Sequence, residues 1–168
     1  MSNLHFRWAD AEDFTELGEL MYDSVHHADS QYSNQQRLAW IAEPRKGKAW
    51  NQRLETQHII VIENPQSLVG FMSLTLTGYV DFAYIRPAFQ QQGLFRRLYT
   101  QIEIRARELG LKKLTTHASL MARPAFKAVG FDKAQKETVE RDGIALERFS
   151  MQKTLKKPAH SRINIKIC

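Results

Sequence analysis

Hydrophobic positions along the first forty residues change period once. Leu4, Phe6 and Trp8 alternate with His5 and Arg7, a period of two that predicts a strand with one face buried. Phe14, Leu17, Leu20, Met21 and Val25 then recur at spacings of three and four, the stripe of an amphipathic helix, and Asp10 ahead of them is a suitable N-cap. Ser33, with Gln36 three residues on, has the form of a capping box, so a second helix carries Leu38, Trp40 and Ile41. Residues 44–47 break the pattern, and residues 50–57 are predicted as another short helix.

From His58 the period shortens again. Residues 59–62 are an apolar run, Asn64 and Pro65 turn the chain, and residues 69–77 are rich in β-branched and aromatic side chains, which predicts a hairpin. Tyr79–Ile85 reads as the next strand, stopped by Arg86 and Pro87. Leu94, Leu98, Ile102 and Leu109 mark a long helix that opens after Gly93 and stops at Gly110. Residues 111–117 read as a strand, 122–129 as a short helix closed by Gly130, and the remainder as two strands turning at Asp142 and Gly143. The order βααβββαβαββ predicts an α/β domain on a mixed sheet.

Length and composition narrow the class. The chain of 168 residues, 43% hydrophobic and 25% charged, suits one soluble domain with a short tail. With Cys168 as the single cysteine there is no internal disulfide, no CxxC and no thiolate zinc cluster, and no metal is expected. No apolar run approaches a membrane span, and the first residues lack the apolar core of a signal peptide, so a cytoplasmic location without a membrane partner is expected. The formal charge of +6 is concentrated at the end: Lys156, Lys157, Arg162 and Lys166 stand without an acid, and the rest carries 20 basic against 18 acidic residues. Residues 1–155 are therefore read as the domain and 156–168 as a flexible, solubilising basic tail, and a nucleic-acid partner is not expected.

The stretch with chemical content is residues 79–95, YVDFAYIRPAFQQQGLF, in which a strand runs into a Gln/Gly turn that opens a helix. Such a turn offers unpaired backbone N–H groups and the positive end of a helix dipole, a cradle for an anion. A plain loop glycine among surface glutamines fits the same local pattern, because short glycine turns before helices are common. Asp81, a carboxylate inside an aromatic and apolar strand, is costly to bury unless paired or given a task. Unbroken alternation would put Tyr79, Asp81 and Ala83 on one face and Val80, Phe82 and Tyr84 on the other. His26 and His27, about 100° apart on a helix, read as exposed rather than as a shared metal site.

Residues 87–95, with Gln90 and Gly93, resemble motif A of the GCN5-related N-acetyltransferases (GNAT). Ala118, Ser119, Ala122, Pro124, Phe126, Gly130 and Phe131 are similar to the family's motif B, and YSNQQRLAW, HASLMARPAF and VERDGIALERFSMQK resemble its YafP-like branch. The likeness covers about residues 3–155. It implies a mostly antiparallel mixed sheet of about seven strands, splayed between strands four and five and flanked by helices. It also implies acetyl transfer from acetyl-CoA to an amine of a small molecule or peptide by direct attack in a ternary complex.

By the same resemblance, the pantetheine arm would run beside Phe82, Ala83, Tyr84 and Ile85, with a strand amide near Tyr84 as oxyanion donor. The pyrophosphate would meet Gln90, Gln91, Gln92, Gly93, Leu94, Phe95 and Arg96, with Arg96 or Arg97 adding charge. Ser119 and Phe126 join the cofactor contacts, Ser119 also as a helix cap. Asp81 is the expected base with Tyr79 orienting a water, and Asp81 merely bonding a neighbouring amide is the alternative. Tyr32, Trp40 and His117 are expected around the acceptor, with core packing as the alternative for Tyr32 and Trp40 and a structural or solvated strand-end histidine as the alternative for His117. Two residues depart from the family pattern: Phe95 stands where Gly or Ala is usual, and Phe126 replaces a tyrosine that protonates the leaving thiolate. A non-catalytic acyl-CoA-binding module therefore stays open as the runner-up. Dimers are common in the family, which leaves a homodimer open as well.

Overall fold

The computed structural model describes residues 3–157. Most of the basic tail, including Cys168, lies outside them. Seven strands form one sheet in the order β1-β2-β3-β4-β5-β7-β6. They are β1 (His5–Trp8), β2 (Gln57–Glu63), β3 (Leu68–Thr75), β4 (Tyr79–Ile85), β5 (Lys113–Ala118), β6 (Asp132–Arg141) and β7 (Ile144–Thr154). Every neighbouring pair is antiparallel except β4 and β5. The helices are α1 (Phe14–His27), α2 (Asn34–Trp40), α3 (Lys48–Glu55), α4 (Leu94–Glu108) and α5 (Arg123–Ala128).

The sheet separates two apolar layers because its central strands carry apolar side chains on both faces. Ile60 and Ile62 of β2 join Leu94, Leu98 and Ile102 of α4, while Ile59 and Val61 join Leu17, Leu20 and Met21 of α1 and Trp50 and Leu54 of α3. The α1 stripe is buried as its spacing predicts. Asp10 caps a short 3₁₀ turn that feeds α1, and Ser33 and Gln36 form the capping box of α2.

Boundaries moved where tertiary pairing overrides local pattern. The third helix starts at Lys48 and stops at Glu55, two residues earlier than periodicity predicts, because Gln57 already pairs with Thr75 across the β2–β3 ladder. His26 is half-buried, not exposed: its Nε2–H donates to the Ile41 carbonyl at 2.6 Å and its ring lies on Tyr22.

Candidate active site

The functional geometry begins with a defect in β4. Met72 pairs with Ala83 but Leu74 pairs with Val80, so Ser73 faces two residues, Asp81 and Phe82. This bulge corrects the expected alternation. Val80, Ala83 and Ile85 fall on the α4 side, whereas Phe82 and Tyr84 fall on the α1 and α3 side. Asp81 also turns toward α3. The Phe82 N–H freed by the bulge donates to the buried Ser73 hydroxyl at 3.0 Å.

The same strand then parts from β5. Their ladder consists of Tyr79 with Thr115 and Val80 with Thr116, closed by the Thr116 hydroxyl donating to the Val80 carbonyl at 2.9 Å. Arg86 donates its N–H to Val69 of β3, so by alternation Tyr84 also faces β3, and Ala83 and Ile85 turn their backbone groups into the gap. The Ile85 carbonyl, on the gap side, accepts from the Ser24 hydroxyl and from the Gln90 side chain. The strand amides open to a ligand are thus those of Ala83 and Ile85, the neighbours of Tyr84.

Below the gap the chain turns into α4. Gln91 (φ 60°) and Gly93 (φ 76°) both adopt left-handed backbone, the second being the residue before the helix. Arg97 is the first residue whose N–H bonds back to this turn, reaching the Gly93 carbonyl at 3.4 Å. The N–H groups of Leu94, Phe95 and Arg96 therefore point outward. A Cβ at Gly93 would meet nothing within 4 Å, so open space lies over the turn. Gln90 and Gln92 do not aim their amides there: they bond the Ile85 and Ala88 carbonyls and brace the turn. The Arg96 guanidinium donates to Ala128, and Arg97 stacks on Phe6.

A groove of about 580 Å³ follows this surface, lined by Ala83, Tyr84, Ile85, Gln90, Gln91, Gly93, Leu94 and Phe95 on one wall and by Ser24, Ser119 and Ala122 on the others. Phe95 does not plug it. Its ring turns against buried Phe126, centroids 5.0 Å apart and edge to face, so it forms part of the wall. Phe126 is 2% exposed and also stacks on Phe131. The Ser119 hydroxyl accepts from the Ala122 N–H at the start of α5.

At its inner end the groove shares Trp40, Ala83, Tyr84, Ser119 and Ala122 with a slot of about 50 Å³ inside the β4–β5 gap. Asp81 and His117 both line that slot. Arg53 of α3 clamps Asp81 with bonds of 2.9 and 2.7 Å, and the Gln57 amide adds a third at 2.7 Å. The three bonds leave one lone-pair direction on Oδ1.

His117 lies in a different network. Its Nδ1 is 2.7 Å from the Tyr79 hydroxyl, and its Nε2 faces Glu137 at 3.4 Å, which Arg148 holds at 2.6 Å. With the carboxylate opposite Nε2, that nitrogen carries the proton and Nδ1 accepts from Tyr79. Burial, reinforced by Arg148, lowers the His117 pKa from its usual 6.5. Burial also pushes the Tyr79 and Tyr84 phenols above 10, Tyr84 far above. The Tyr84 hydroxyl makes no hydrogen bond among the described residues.

Tyr32 is not a pocket wall: it is 6% exposed, donates to the Glu147 carbonyl at 2.6 Å and accepts from the Leu120 N–H at 3.0 Å. It locks the loop before α2 onto β7 and the β5–α5 turn. Trp40 packs edge-on against Tyr32 and borders both groove and slot. The sequence reading missed Ser24, Arg53, Gln57, Ser73, Glu137 and Arg148. Each acts through a partner distant in sequence, and only the buried position of Ser73 in an apolar strand carried a local signal. Among the described residues no group of three or more His, Cys, Asp or Glu could hold a metal ion, and no helix is long and apolar enough to cross a membrane.

Residues 28–155 match the family model described as acetyltransferase (GNAT) domain. The chain is 30% identical over 164 residues to the uncharacterised N-acetyltransferase YafP of Escherichia coli K12, covering 95% of this chain and 100% of that one. A GCN5-related N-acetyltransferase structure from Rhodopseudomonas palustris superposes with a TM-score of 0.84 at 26% identity, covering 92% of this chain and 98% of that one. The PaiA N-acetyltransferase of Thermoplasma acidophilum, solved with coenzyme A, gives 0.71 at 17% identity, with 91% and 99% covered. That last likeness concerns the fold.

Proposed function

Because this chain belongs to the GNAT acetyltransferase family, we propose that it transfers the acetyl group of acetyl-CoA to a primary amine, bound together with it, by direct attack. The observation that carries this reading is the β4–β5 gap: its ladder stops after Val80, and unpaired strand amides lead from the slot to the outward N–H groups of α4. Those groups suit an extended amide-bearing arm at one end and a pyrophosphate at the other. PaiA, whose fold is the same, was solved with coenzyme A.

Acetyl-CoA would supply an electrophilic carbonyl carbon and a thiol leaving group. The chain's residues do the rest. Ala83 or Ile85 donates its N–H to the carbonyl oxygen as that oxygen gains charge. A water in the slot relays the amine's proton to Tyr79, which stands behind His117 and outside the slot's lining; Tyr79 passes its own proton to His117 Nδ1, and Glu137 stabilises the resulting imidazolium. Tyr84, kept protonated by burial, gives a proton to the departing sulfur in place of the hydroxyl that Phe126 lacks. The N–C bond forms, the C–S bond breaks, and the proton lost by the amine restores Tyr84 through solvent. Asp81, with most of its lone pairs taken by Arg53 and Gln57, acts by holding Arg53 in place.

Titration calorimetry with coenzyme A and a thiol-release assay with an amine panel test this reading. Saturable binding with amine-dependent release is expected. Binding without release from any amine would favour the non-catalytic module, and absence of both would overturn the reading.

A further inference from the structure

Another cavity, of about 540 Å³, shares Trp40 with the groove and lies between α2, the segment that follows it, and α3. Leu38, Trp40 and Trp50 give it an apolar wall. Its charges are four cations, Arg45, Lys46, Arg53 and Arg141, against Glu43 and Asp142. Arg53 is spent on Asp81. Arg45 has no anionic partner among the described residues. Among the described residues no carboxylate lies within salt-bridge distance of it, its hydrogen bond to the Trp40 carbonyl is 3.5 Å long, and its Nε is buried without a partner.

A guanidinium left this way is incompletely satisfied, because its Nε has lost water and no anion has been returned. Burial, aided by the neighbouring Arg53, lowers the Arg45 pKa, while Tyr84 and Asp81 lie near enough to act on it in the opposite direction. Arg53, on the wall of this cavity, bonds Asp81, on the wall of the slot, so the two spaces adjoin. Trp40 borders all three spaces, so a molecule in this cavity, with its apolar body on Trp40 and Trp50, lies next to the reacting end of the groove.

We propose that this cavity receives the acceptor and that Arg45 binds a carboxylate on it, so that the acceptor is a small apolar amino acid or a close relative. The fork of a guanidinium matches a carboxylate by two parallel bonds, and the amine of an amino acid stands one carbon away from that group. A polyamine, by contrast, would bring further positive charge against Arg45 and Arg141. This inference rests on the acetyltransfer reading for its chemistry but on the cavity alone for its binding.

Two measurements separate the two. In the first, the coenzyme A-saturated protein is titrated with N-acetyl-leucine, N-acetyl-phenylalanine and their amides, following tryptophan fluorescence, since Trp40 and Trp50 border the cavity. The acids should bind roughly 10- to 100-fold more tightly than the amides. Arg45→Gln should abolish that preference and Arg45→Lys should restore part of it, with melting temperature and coenzyme A affinity serving as controls on the fold. Acids binding no better than amides, or a preference that survives Arg45→Gln, would overturn the proposal. Should Arg45→Gln fail to fold, Arg141→Gln is expected to weaken the acids alone, and equal loss for acids and amides would count against the site. In the second, thiol release is compared for leucine and phenylalanine against their decarboxylated amines and spermidine. A higher kcat/KM for the amino acids, levelled by Arg45→Gln, is expected, and faster turnover of the amines or of spermidine would overturn the proposal while leaving acetyltransfer standing. Acid-selective binding without release from any amine would instead remove the acetyltransfer reading and leave the carboxylate site.

Discussion

Ser73→Ala is the most direct probe of how this site is built. Ser73 is wholly buried, and its hydroxyl satisfies the Phe82 N–H that the bulge leaves without a strand partner. Alanine removes that acceptor and almost no volume, so the change isolates one hydrogen bond. An orphaned buried N–H costs about 1–3 kcal/mol, and at roughly 2–4 °C per kcal/mol for a domain of this size the melting temperature should fall by about 2–12 °C. A second consequence follows from the register. If β4 relieves the orphan by reverting to unbroken pairing, Phe82 and Tyr84 turn to the α4 side and Ala83 and Ile85 lose their aim into the gap. Coenzyme A affinity measured by calorimetry should then fall together with stability. A variant that unfolds within about 0.5 kcal/mol of the parent in urea and binds coenzyme A equally well would show that the Ser73 bond does not hold the bulge.

Three other outcomes are expected. Gly93→Ala should cost about 1–2 kcal/mol for left-handed backbone without any clash, whereas Gly93→Asp should also weaken coenzyme A binding, by about 1–3 kcal/mol for a like charge added at the proposed anion cradle; calorimetry on both variants separates strain from repulsion, and equal affinities would place the pyrophosphate elsewhere. The acid limb of kcat/KM, calculated on the neutral amine, should lie below pH 6.5 because the His117 pKa is lowered and the imidazole must be unprotonated to accept; His117→Gln should abolish the limb and Asp81→Asn should leave it in place, and the reverse pattern would return the base to Asp81. Arg7 holds the Asp13 carboxyl with two bonds of 2.8 Å and depresses its pKa below 3.8, so that stabilisation is fully present above pH 3.8 and fades as pH falls through the lower folded value. Arg7→Gln should therefore cost about 1–3 kcal/mol at pH 7 and progressively less in acid melts, and a cost that does not shrink toward pH 2 would refute the linkage.

What the sequence disclosed is what short-range physics controls. The stripe of α1, the Ser33 and Gln36 cap, the β2 run and the Gly93 turn each depend on residues within one or two turns of chain, and each formed within a few residues of its expected place. The bulge is different. It is made by Ser73 acting on Phe82 across a strand pair, and no pattern inside Tyr79–Ile85 announces it, so alternation misplaced Val80 relative to Phe82. Asp81 was correctly seen as a carboxylate that needs a reason, but the partners that satisfy it, Arg53 and Gln57, sit in a helix and strand that periodicity alone cannot bring near. Tyr32 fitted either a pocket wall or the core, and the choice is made by residues 115 and 88 positions away that fix its hydroxyl. Arg45 stands in a segment read only as a break between helices, and breaks carry no period from which burial could be inferred.

The two departures from the family's motifs turn out to be one packing unit. Phe95 stacks edge to face on Phe126, which stacks in turn on Phe131 beside Tyr99 of α4. A glycine or alanine at 95 would remove the ring contact to Phe126 and widen the groove at that wall. Together the two rings bind α5 to the first turn of α4 through apolar contact. That arrangement fixes the groove wall without using the backbone N–H of residue 95, which stays outward on the first turn of the helix. It also carries the proton-donor problem away from α5. In the proposed mechanism the donor comes from the strand side of the gap, where the Tyr84 hydroxyl has no hydrogen-bond partner among the described residues and burial keeps it protonated.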